Sequence, residues 1–459
     1  MDTLSYIEET NFKRQNYSIK KNSSSIEKFI SKIKGVLLSL KTTGFLTTLS
    51  FFLFTRKYRN LQVIAFSCIS EDNKIYYFKA DKNAISLRNK YEQSELKDFI
   101  VINSEEYQKL GKVNNYNNIE IPSQKIWVTK LIRALYFLRF GKGFYETHLL
   151  GSGKFAAGVI LPNILKNRGR ITKIKLTTGK SSNFIAESFG INKNVLDPNF
   201  FKNNYQNAKS NLFILSSPQN HVNDILNSIK SGYRKIYCEK PAGINSSDLT
   251  ILKGLKNLDD INITFGFNRR FAPSIIFLEN QIKNLQNYHI TYLIRLAEYS
   301  ESMSRFKKGG GTTVCSCCHY LDLLTYLSGQ HQLFNVNELI EGQVKEVDGY
   351  SFQLFIKHSD KKTSSLRFIK ASPGFRGKVQ EEIILSSAEN EYKIIDFKEI
   401  YKNGLSLRRF SKDVKGWNLM VNNFLEGKLN KSSTLKEALY NLEFCLEIDQ
   451  LLKEKRNKF

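Results

Sequence analysis

Between Phe144 and Phe267 the chain alternates two hydrophobic rhythms. Five short runs have strand character: FYETHLL (144–150), ITKIKLT (171–177), NLFILSS (211–217), KIYC (235–238) and INITFGF (261–267). NLFILSS is almost continuously apolar, as expected of a strand buried on both faces. Between the runs the period changes to that of a helix. Ala157, Ile160, Leu161 and Ile164 recur near every 3.6 positions, and a second helical stretch runs from His221 to Gly232. Strands alternating with helices in this way predict a doubly wound parallel sheet. From Ala272 onward strand patterns dominate: HITYLIRLAEY (289–299), YSFQLFIKH (350–358), SSLRFIKA (364–371) and EEIILSS (381–387). Two helical stretches, 417–426 and 435–452, close the chain. Residues 1–140 have mixed patterning and no motif. The apolar run TTGFLTTLSFFLF (42–54) falls short of the about 20 residues a helix needs to cross a bilayer, so no integral membrane span is expected. It reads as a buried or amphipathic helix. The chain thus divides into an N-terminal α+β region (1–140), a doubly wound domain (141–270) and a second α/β domain (271–459).

The break after the first strand is GSGKFA, of the form GxGxxA. In a strand–turn–helix context this is the pattern of a dinucleotide-binding loop. Gly151 permits the tight turn and Gly153 lets backbone approach a pyrophosphate. Ala156 is small enough for close helix–strand packing. With Lys154 and Phe155 these residues form the expected cofactor loop, at a helix N-terminus whose free N–H groups favour anions. The carboxylate that commonly ends the second strand and holds a ribose hydroxyl is absent: the sequence there is LTTGKSSN (176–183). Thr177 and Thr178 are placed to bond a ribose, and Lys180 with its serines to accept a 2′-phosphate. The cofactor expected is NAD or NADP.

Composition narrows the partners. Lysine and arginine total 69 against 43 acidic residues, a net charge of +26. The lysines are scattered, and runs such as Lys20-Lys21 and Lys361-Lys362 are short, which suits a solvated surface better than a nucleic-acid stripe. Nucleic acid is not an expected partner. The opening MDTLSYIEET is acidic and polar, unlike a signal peptide, and 6 cysteines in 459 residues make no disulfide scaffold. Free thiols in a cytoplasmic protein are expected.

Three further motifs resemble those of the glucose–fructose oxidoreductase/inositol dehydrogenase (Gfo/Idh/MocA) family. CEKPAGIN (238–245) resembles its EKP signature, and GFNRRFAP (266–273) the segment where it leaves the Rossmann domain. GGGTTVCSCCHYLDLLTYLSG (309–329) resembles its active-site helix. Order and spacing agree with the family from about Tyr145 to the C-terminus. The resemblance implies a Rossmann domain followed by an α/β domain with an open, mostly antiparallel sheet. It also implies hydride transfer between a nicotinamide and an oxygen-bearing carbon of a sugar, nucleotide sugar or cyclitol, in a dimer or tetramer. Lys240 and His319 match the family's catalytic lysine and histidine. Ser216, Ser217, Pro218, His221, Glu239, Lys240 and Pro241 fall on the cofactor side, and Lys240, Asn268, Arg270, Cys315, His319 and Asp322 on the substrate side.

Two departures stand out. Cys315 occupies the position, four before the histidine, where many members carry Asp. Helical spacing puts Cys315, His319 and Asp322 on one side, leaving Asp322 to orient the imidazole or to serve the structure. In SSPQNHVND (216–224) one residue fewer separates Pro218 from His221 than is usual. The cysteine-rich stretch VCSCCHYLD (314–322) does not suggest a metal: one helix face cannot supply a tetrahedral set, and no second CxxC or HxxxH completes it. No marker of low thiolate pKa accompanies Cys315 and Cys318, so a redox pair is not expected, and Cys317 and Cys318 read as small apolar packers. The histidine-bearing helix most resembles a branch fused to a zinc-alcohol-dehydrogenase-like half and linked to surface-polysaccharide synthesis. Lys32–Leu49 and Phe78–Ser86 resemble a fragment of that half. The competing reading is a catalytically impaired nucleotide-binding scaffold, on the strength of Cys315 and the missing ribose carboxylate.

Overall fold

A computed structural model of the chain describes residues 49–50, 53, 62–69, 75–80, 96–103, 126–140, 143–176, 181–202, 210–255, 260–296, 309–338, 351–369 and 379–456. They fall into two compact units, Met1–Arg139 with Leu176–Pro198, and Phe140–Lys175 with Asn199–Phe459. Leu176–Pro198, which patterning groups with the doubly wound domain, therefore clusters with the N-terminal unit.

In the smaller unit β1 (Gln62–Ile69) pairs antiparallel with β2 (Ile75–Ala80) and with β3 (Leu96–Asn103), giving the order β2-β1-β3. The helix α1 (Ile126–Phe140) follows. Leu49, Ser50 and Leu53 are helical, so the part of the 42–54 run that is described is helix, and buried Ser50 accepts a hydrogen bond from Tyr136 (3.2 Å). The alcohol-dehydrogenase-like resemblance lies largely outside the described residues. No helix among the described residues is long and apolar enough to cross a membrane.

The larger unit opens with β4 (Tyr145–Leu150). A helix then begins with a π-turn at Ala156–Ile160 and continues as α2 (Leu161–Lys166) into β5 (Gly169–Lys175). In the smaller unit lie α3 (Ser181–Ser188) and β6 (Leu196–Asp197). The larger unit resumes with β7 (Asn211–Ile214), α4 (His221–Lys230), β8 (Lys235–Cys238), α5 (Ser246–Lys253) and β9 (Asn262–Phe265). Strands β4, β5, β7, β8 and β9 are parallel, in the order β9-β8-β7-β4-β5. β7 is buried along its whole length, as its unbroken apolar pattern requires. The strand order reverses between β4 and β7. The crevice beyond their carboxyl ends is where ligands bind in such sheets.

After α6 (Pro273–Ile282) comes β10 (Tyr288–Leu296), and a π-turn at Thr313–Cys317 leads into α7 (Cys318–Ser328). Then follow β11 (Leu333–Glu338), β12 (Phe352–Ser359), β13 (Lys362–Ile369), β14 (Val379–Ser386), β15 (Glu391–Ile395), β16 (Glu399–Lys402) and β17 (Leu405–Arg409). These eight strands form one sheet, β11-β12-β13-β10-β14-β15-β16-β17, antiparallel except where β10 meets β13. The expected open, mostly antiparallel sheet is present. Alternation decides its faces: Tyr288, Ile290, Tyr292 and Ile294 turn inward with Phe352, Leu354 and Ile356, while Phe355 is 44% exposed on the other face.

The chain ends with α8 (Trp417–Glu426), β18 (Ser433–Thr434), which adds antiparallel to β9, and α9 (Leu435–Arg456). Thr434 and Glu437 make a capping box for α9. The Glu437 carboxylate accepts from the Thr434 N–H (2.9 Å), and the Thr434 hydroxyl accepts from the Glu437 N–H (3.3 Å). The helix is thereby held in register beside α7, where buried Asn441 donates to the Cys318 carbonyl (3.0 Å).

Candidate active site

The crevice starts at Gly151. Its φ of +114° lies outside what side chains adopt, and a Cβ there would sit 2.4 Å from the Leu215 carbonyl carbon. The ends of β4 and β7 can approach this closely because Gly151 has no side chain. Gly153 is the opposite case: a Cβ there would meet nothing within 4 Å, so the space before it is open. Below, Ala156 is 1% exposed, and the first helical turn starts at Lys154. Open space before a glycine at a helix N-terminus fits a pyrophosphate. Phe155 stands at the rim, 39% exposed, edge-on to Trp417 with ring centroids 5.2 Å apart. After β7, Ser216 donates its hydroxyl to Asp224 (2.6 Å), and exposed Ser217 precedes the short turn that starts at Pro218. Thr177, Thr178 and Lys180 lie outside the described residues.

The end of β8 sets Lys240. Glu239 still belongs to the ladder, its N–H donating to Ile214 (3.0 Å), while its carboxyl accepts from the Tyr237 hydroxyl. Burial pushes the Glu239 carboxyl up to about 7, against the Tyr237 bond and the Lys240 charge that favour its ionised form. The Lys240–Pro241 peptide is cis. Lys240, half-buried, donates from Nζ to the carbonyl of Cys315 (2.8 Å), inside the π-turn that opens α7. The two motifs also meet at Gly310, with φ +89°, where a Cβ would lie 2.6 Å from the Ile244 carbonyl oxygen.

One turn beyond Cys315 stands His319, also half-buried, with the Phe267 ring edge-on at 6.0 Å. Its Nδ1 is buried without a hydrogen-bond partner. Burial lowers the His319 pKa well below the ordinary range, and the charges of Lys240, Arg269 and Lys415 push the same way. The imidazole is therefore neutral, and these charges make it a weak base. Lys240 and His319 are thus brought together, with Cys315 between them in sequence and half-exposed.

Beneath His319 lies a charged cluster. Arg269 grips Glu381 through Nε (2.7 Å) and Nη2 (2.8 Å), Tyr292 donates to the same carboxylate (2.6 Å), and Lys415 Nζ adds a fourth bond (2.8 Å). Burial alone would raise the Glu381 pKa, but the Arg269 and Lys415 charges outweigh it and hold the group at about 2. Asn268, fully buried, donates to the Lys415 carbonyl (2.7 Å) and leaves its Oδ1 without a partner.

Three residues expected at the ligands are held by protein partners. Arg270 and Asp322 are engaged with each other. Arg270 Nε and Nη2 donate to Asp322 Oδ2 (2.8 Å) and Oδ1 (2.6 Å), with side chains 2% and 1% exposed, and Arg270 Nη1 donates to Glu437 (2.9 Å). Asp322 is a full turn beyond Cys318 and shares its buried side, not that of Cys315 and His319, so it cannot orient the imidazole. A cleft of about 220 Å³ beside this pair is lined by Thr325, Gln330 and Tyr440. His221 is fully buried, its Nδ1 donating to the Pro241 carbonyl (2.7 Å) and its Nε2 3.2 Å from that of Ser216. It braces the loops after β7 and β8 against each other.

Glu381, Arg269 and Lys415 were not anticipated. A sign of the first was available: Glu381 sits at an inward position of a strand whose Ile383 and Leu385 are core. A carboxylate there demands a buried cation. No pattern marks Lys415.

No protein-family model matches the chain. Among curated proteins it is similar to the rhizopine catabolism protein MocA of Rhizobium meliloti, 24% identical over 119 residues, 26% of this chain and 38% of that protein. The match thus spans well under half of the relative's length. Among solved structures it is similar to an oxidoreductase from Thermotoga maritima (TM-score 0.56, 14% identity, 66% of this chain and 95% of that one). It is also similar to the WlbA dehydrogenase from Bordetella pertussis in complex with NADH and UDP-GlcNAcA (TM-score 0.54, 12% identity, 68% and 96%). A third is an oxidoreductase from Agrobacterium radiobacter in complex with NAD+, L-tartaric acid and magnesium (TM-score 0.51, 12% identity, 66% and 94%). The chain is thus similar in part of its sequence to MocA and has the fold of these solved oxidoreductases and dehydrogenases.

Proposed function

We propose that the chain is an NAD(P)-dependent oxidoreductase acting on a sugar, nucleotide sugar or cyclitol. The observation that carries this reading is the meeting of Lys240 and His319 beyond the glycine cradle, through the 2.8 Å bond from Lys240 to the Cys315 carbonyl. Neighbours of the same fold solved with NADH and NAD+ support the cofactor class. A nicotinamide, when bound, supplies or takes up the hydride. The chain's own residues do the rest. Lys240 Nζ polarises the substrate oxygen with an N–H donor, and the imidazole of His319 receives the hydroxyl proton in the oxidising direction once bound negative charge offsets the three cations that lower its pKa. Phe155 and Trp417 shield one side of the cradle from water. The open sheet face supports a dimer or tetramer, and the resemblance to the fused branch supports a setting in surface-polysaccharide synthesis.

One observation favours a second reading, an impaired nucleotide-binding scaffold: no carboxylate bonds the buried Nδ1 of His319. Two measurements separate the readings. A thermal-shift titration with NAD(H) and NADP(H) should stabilise the fold by about 2.7 kcal/mol at 100 times the dissociation constant. Silence with all four overturns both. Turnover of a sugar-type substrate that vanishes in Lys240→Ala and His319→Ala, with the cofactor shift intact, supports the enzyme. Full activity in either variant removes that residue from the mechanism.

A further inference from the structure

We infer that the substrate of this site is an acidic carbohydrate, and that Lys415 is the residue that reads its carboxylate. The inference rests on the oxidoreductase reading above and adds a substrate class to it.

The first support is the charge balance. Three cations, Lys240, Arg269 and Lys415, act on His319. Glu381 answers them with one negative charge, and its four hydrogen bonds already engage both oxygens. Glu239, pushed up to about 7, adds no more than part of a second. A half-buried site with surplus positive charge is complementary to an anionic ligand and penalises a neutral one less than it rewards the anion.

The second support is how Lys415 is held. Its backbone carbonyl is fixed by Asn268 (2.7 Å), the residue after Phe267, whose ring packs on His319. Its Nζ is fixed by one bond to Glu381 (2.8 Å), yet the side chain stays 39% exposed. Of the three N–H donors of an ammonium, one is thus spent on anchoring, with the Phe397 ring 5.8 Å away and no other hydrogen bond among the described residues. Arg269 differs: its side chain is 8% exposed, and Glu381 engages it through two nitrogens. Lys415 is the cation of this cluster that a ligand can touch.

The test uses the full chain saturated with the nicotinamide cofactor that gives the larger thermal shift. Calorimetric titration then compares glucuronate with glucose, and UDP-glucuronate with UDP-glucose. The acid of at least one pair should bind about tenfold or more tighter than its neutral partner, the usual scale for a hydrogen bond to a charged group. Lys415→Gln should bring the ratio close to one, Lys415→Arg should keep it, and added salt should weaken the acid alone. An unchanged cofactor shift in both variants confirms that they fold. A neutral sugar that binds as tightly as its acid, a ratio untouched by Lys415→Gln, or binding of none of the four probes overturns the inference. Absence of any cofactor shift overturns instead the oxidoreductase reading beneath it. Binding confined to the UDP pair supports the inference and adds that the nucleotide is recognised.

Discussion

Asp322 stands in a motif whose resemblance points to the substrate, and the structure assigns it to Arg270 instead. The perturbation that separates the two roles is Asp322→Asn. It removes the charge and one of two acceptors while keeping the shape. The guanidinium is then left 2% exposed with Glu437, itself 40% exposed, and the Tyr326 ring 4.9 Å away. Removing one partner of a buried ion pair costs about 3–5 kcal/mol, because the other charge remains desolvated. Asn keeps one hydrogen bond and belongs at the lower end, about 3 kcal/mol, with Asp322→Ala at the upper end. Replacing both partners by apolar side chains, Arg270→Met with Asp322→Leu, should restore stability to within about 1 kcal/mol, since no charge is left stranded. Urea unfolding followed by tryptophan fluorescence and circular dichroism compares these three variants with the parent. If Asp322→Asn lies within about 1 kcal/mol of the parent, or if the double variant is no better than the single ones, the pair is not what holds α7 to the Asn268–Phe271 turn and the reasoning fails. If instead the variants stay stable and lose turnover with the cofactor shift intact, Asp322 belongs to the substrate after all.

Other predictions follow from the same geometry. Gly151→Ala should destabilise the fold by several kcal/mol, from a 2.4 Å clash and a φ of +114°, whereas Gly153→Asp should leave stability unchanged and abolish the thermal shift with NAD(H) and NADP(H). A cofactor shift that survives Gly153→Asp would falsify the cradle. His221→Ala should cost about 1–3 kcal/mol by leaving the Pro241 carbonyl unbonded, with melting temperature as the readout, and a neutral result would sever the link it makes between the two loops. For pH, burial lowers the pKa of both His221 and His319 from 6.5, so between that value and the folded one the unfolded chain binds more protons. Their stabilisation is complete above about pH 6.5 and is lost as pH falls towards the folded pKa. Glu239 opposes this: with its folded pKa raised from 4.5 to about 7, its contribution declines as pH rises across that window. His319→Asn should therefore flatten the acid fall in melting temperature between about pH 5 and 6.5, and an unaltered slope would place the imidazole in water.

The Rossmann half was legible because each level of its pattern repeats the same statement. NLFILSS is a strand buried on both faces, KIYC is bounded by EKP, and GSGKFA follows a strand at the switch in strand order. KIYC coincides with β8, and Trp417–Glu426 with α8. Other boundaries moved by a few residues where turn chemistry overrides pattern. ITKIKLT became Gly169–Lys175, because Gly169 starts the strand before the apolar alternation does. The hairpins β15 to β17 were missed, since EYKII and EIYK are short and LSLRR is exposed throughout. Within the site, what could be read were residues inside motifs. What could not were partners supplied from afar: Lys415 reaches Glu381 across 34 positions, and Arg270 reaches Glu437 across 167. Helical spacing also misled once. Counting from Cys315 to Asp322 assumes a regular α-helix, and the π-turn at Thr313–Cys317 offsets the faces by adding a residue to one turn.

That π-turn bears on the replacement of a carboxylate by Cys315. In a helix, an acid four residues before His319 would sit within reach of both the imidazole and Lys240, and would raise the pKa of each by attraction. Here the attraction is absent, and three cations bear on an imidazole that burial already disfavours charging. A histidine in that setting stays neutral near neutral pH and is a weak proton acceptor until negative charge offsets the cations. Lys240 is not set adrift by the loss, because the backbone carbonyl of Cys315, which any residue would provide, anchors its Nζ. The carboxylate that does approach the site, Glu381, arrives from a strand and is consumed by Arg269, Tyr292 and Lys415. Substituting Cys315→Asp should then restore a partner for His319 and neutralise part of the positive surplus. If the surplus selects an acidic substrate, the same change that strengthens proton transfer should weaken the binding of that substrate. A rise in kcat accompanied by a rise in KM for the acid, and not for its neutral analogue, is the expected outcome. A variant that raises kcat and leaves the acid's KM unchanged would show that the surplus charge is not what the substrate meets.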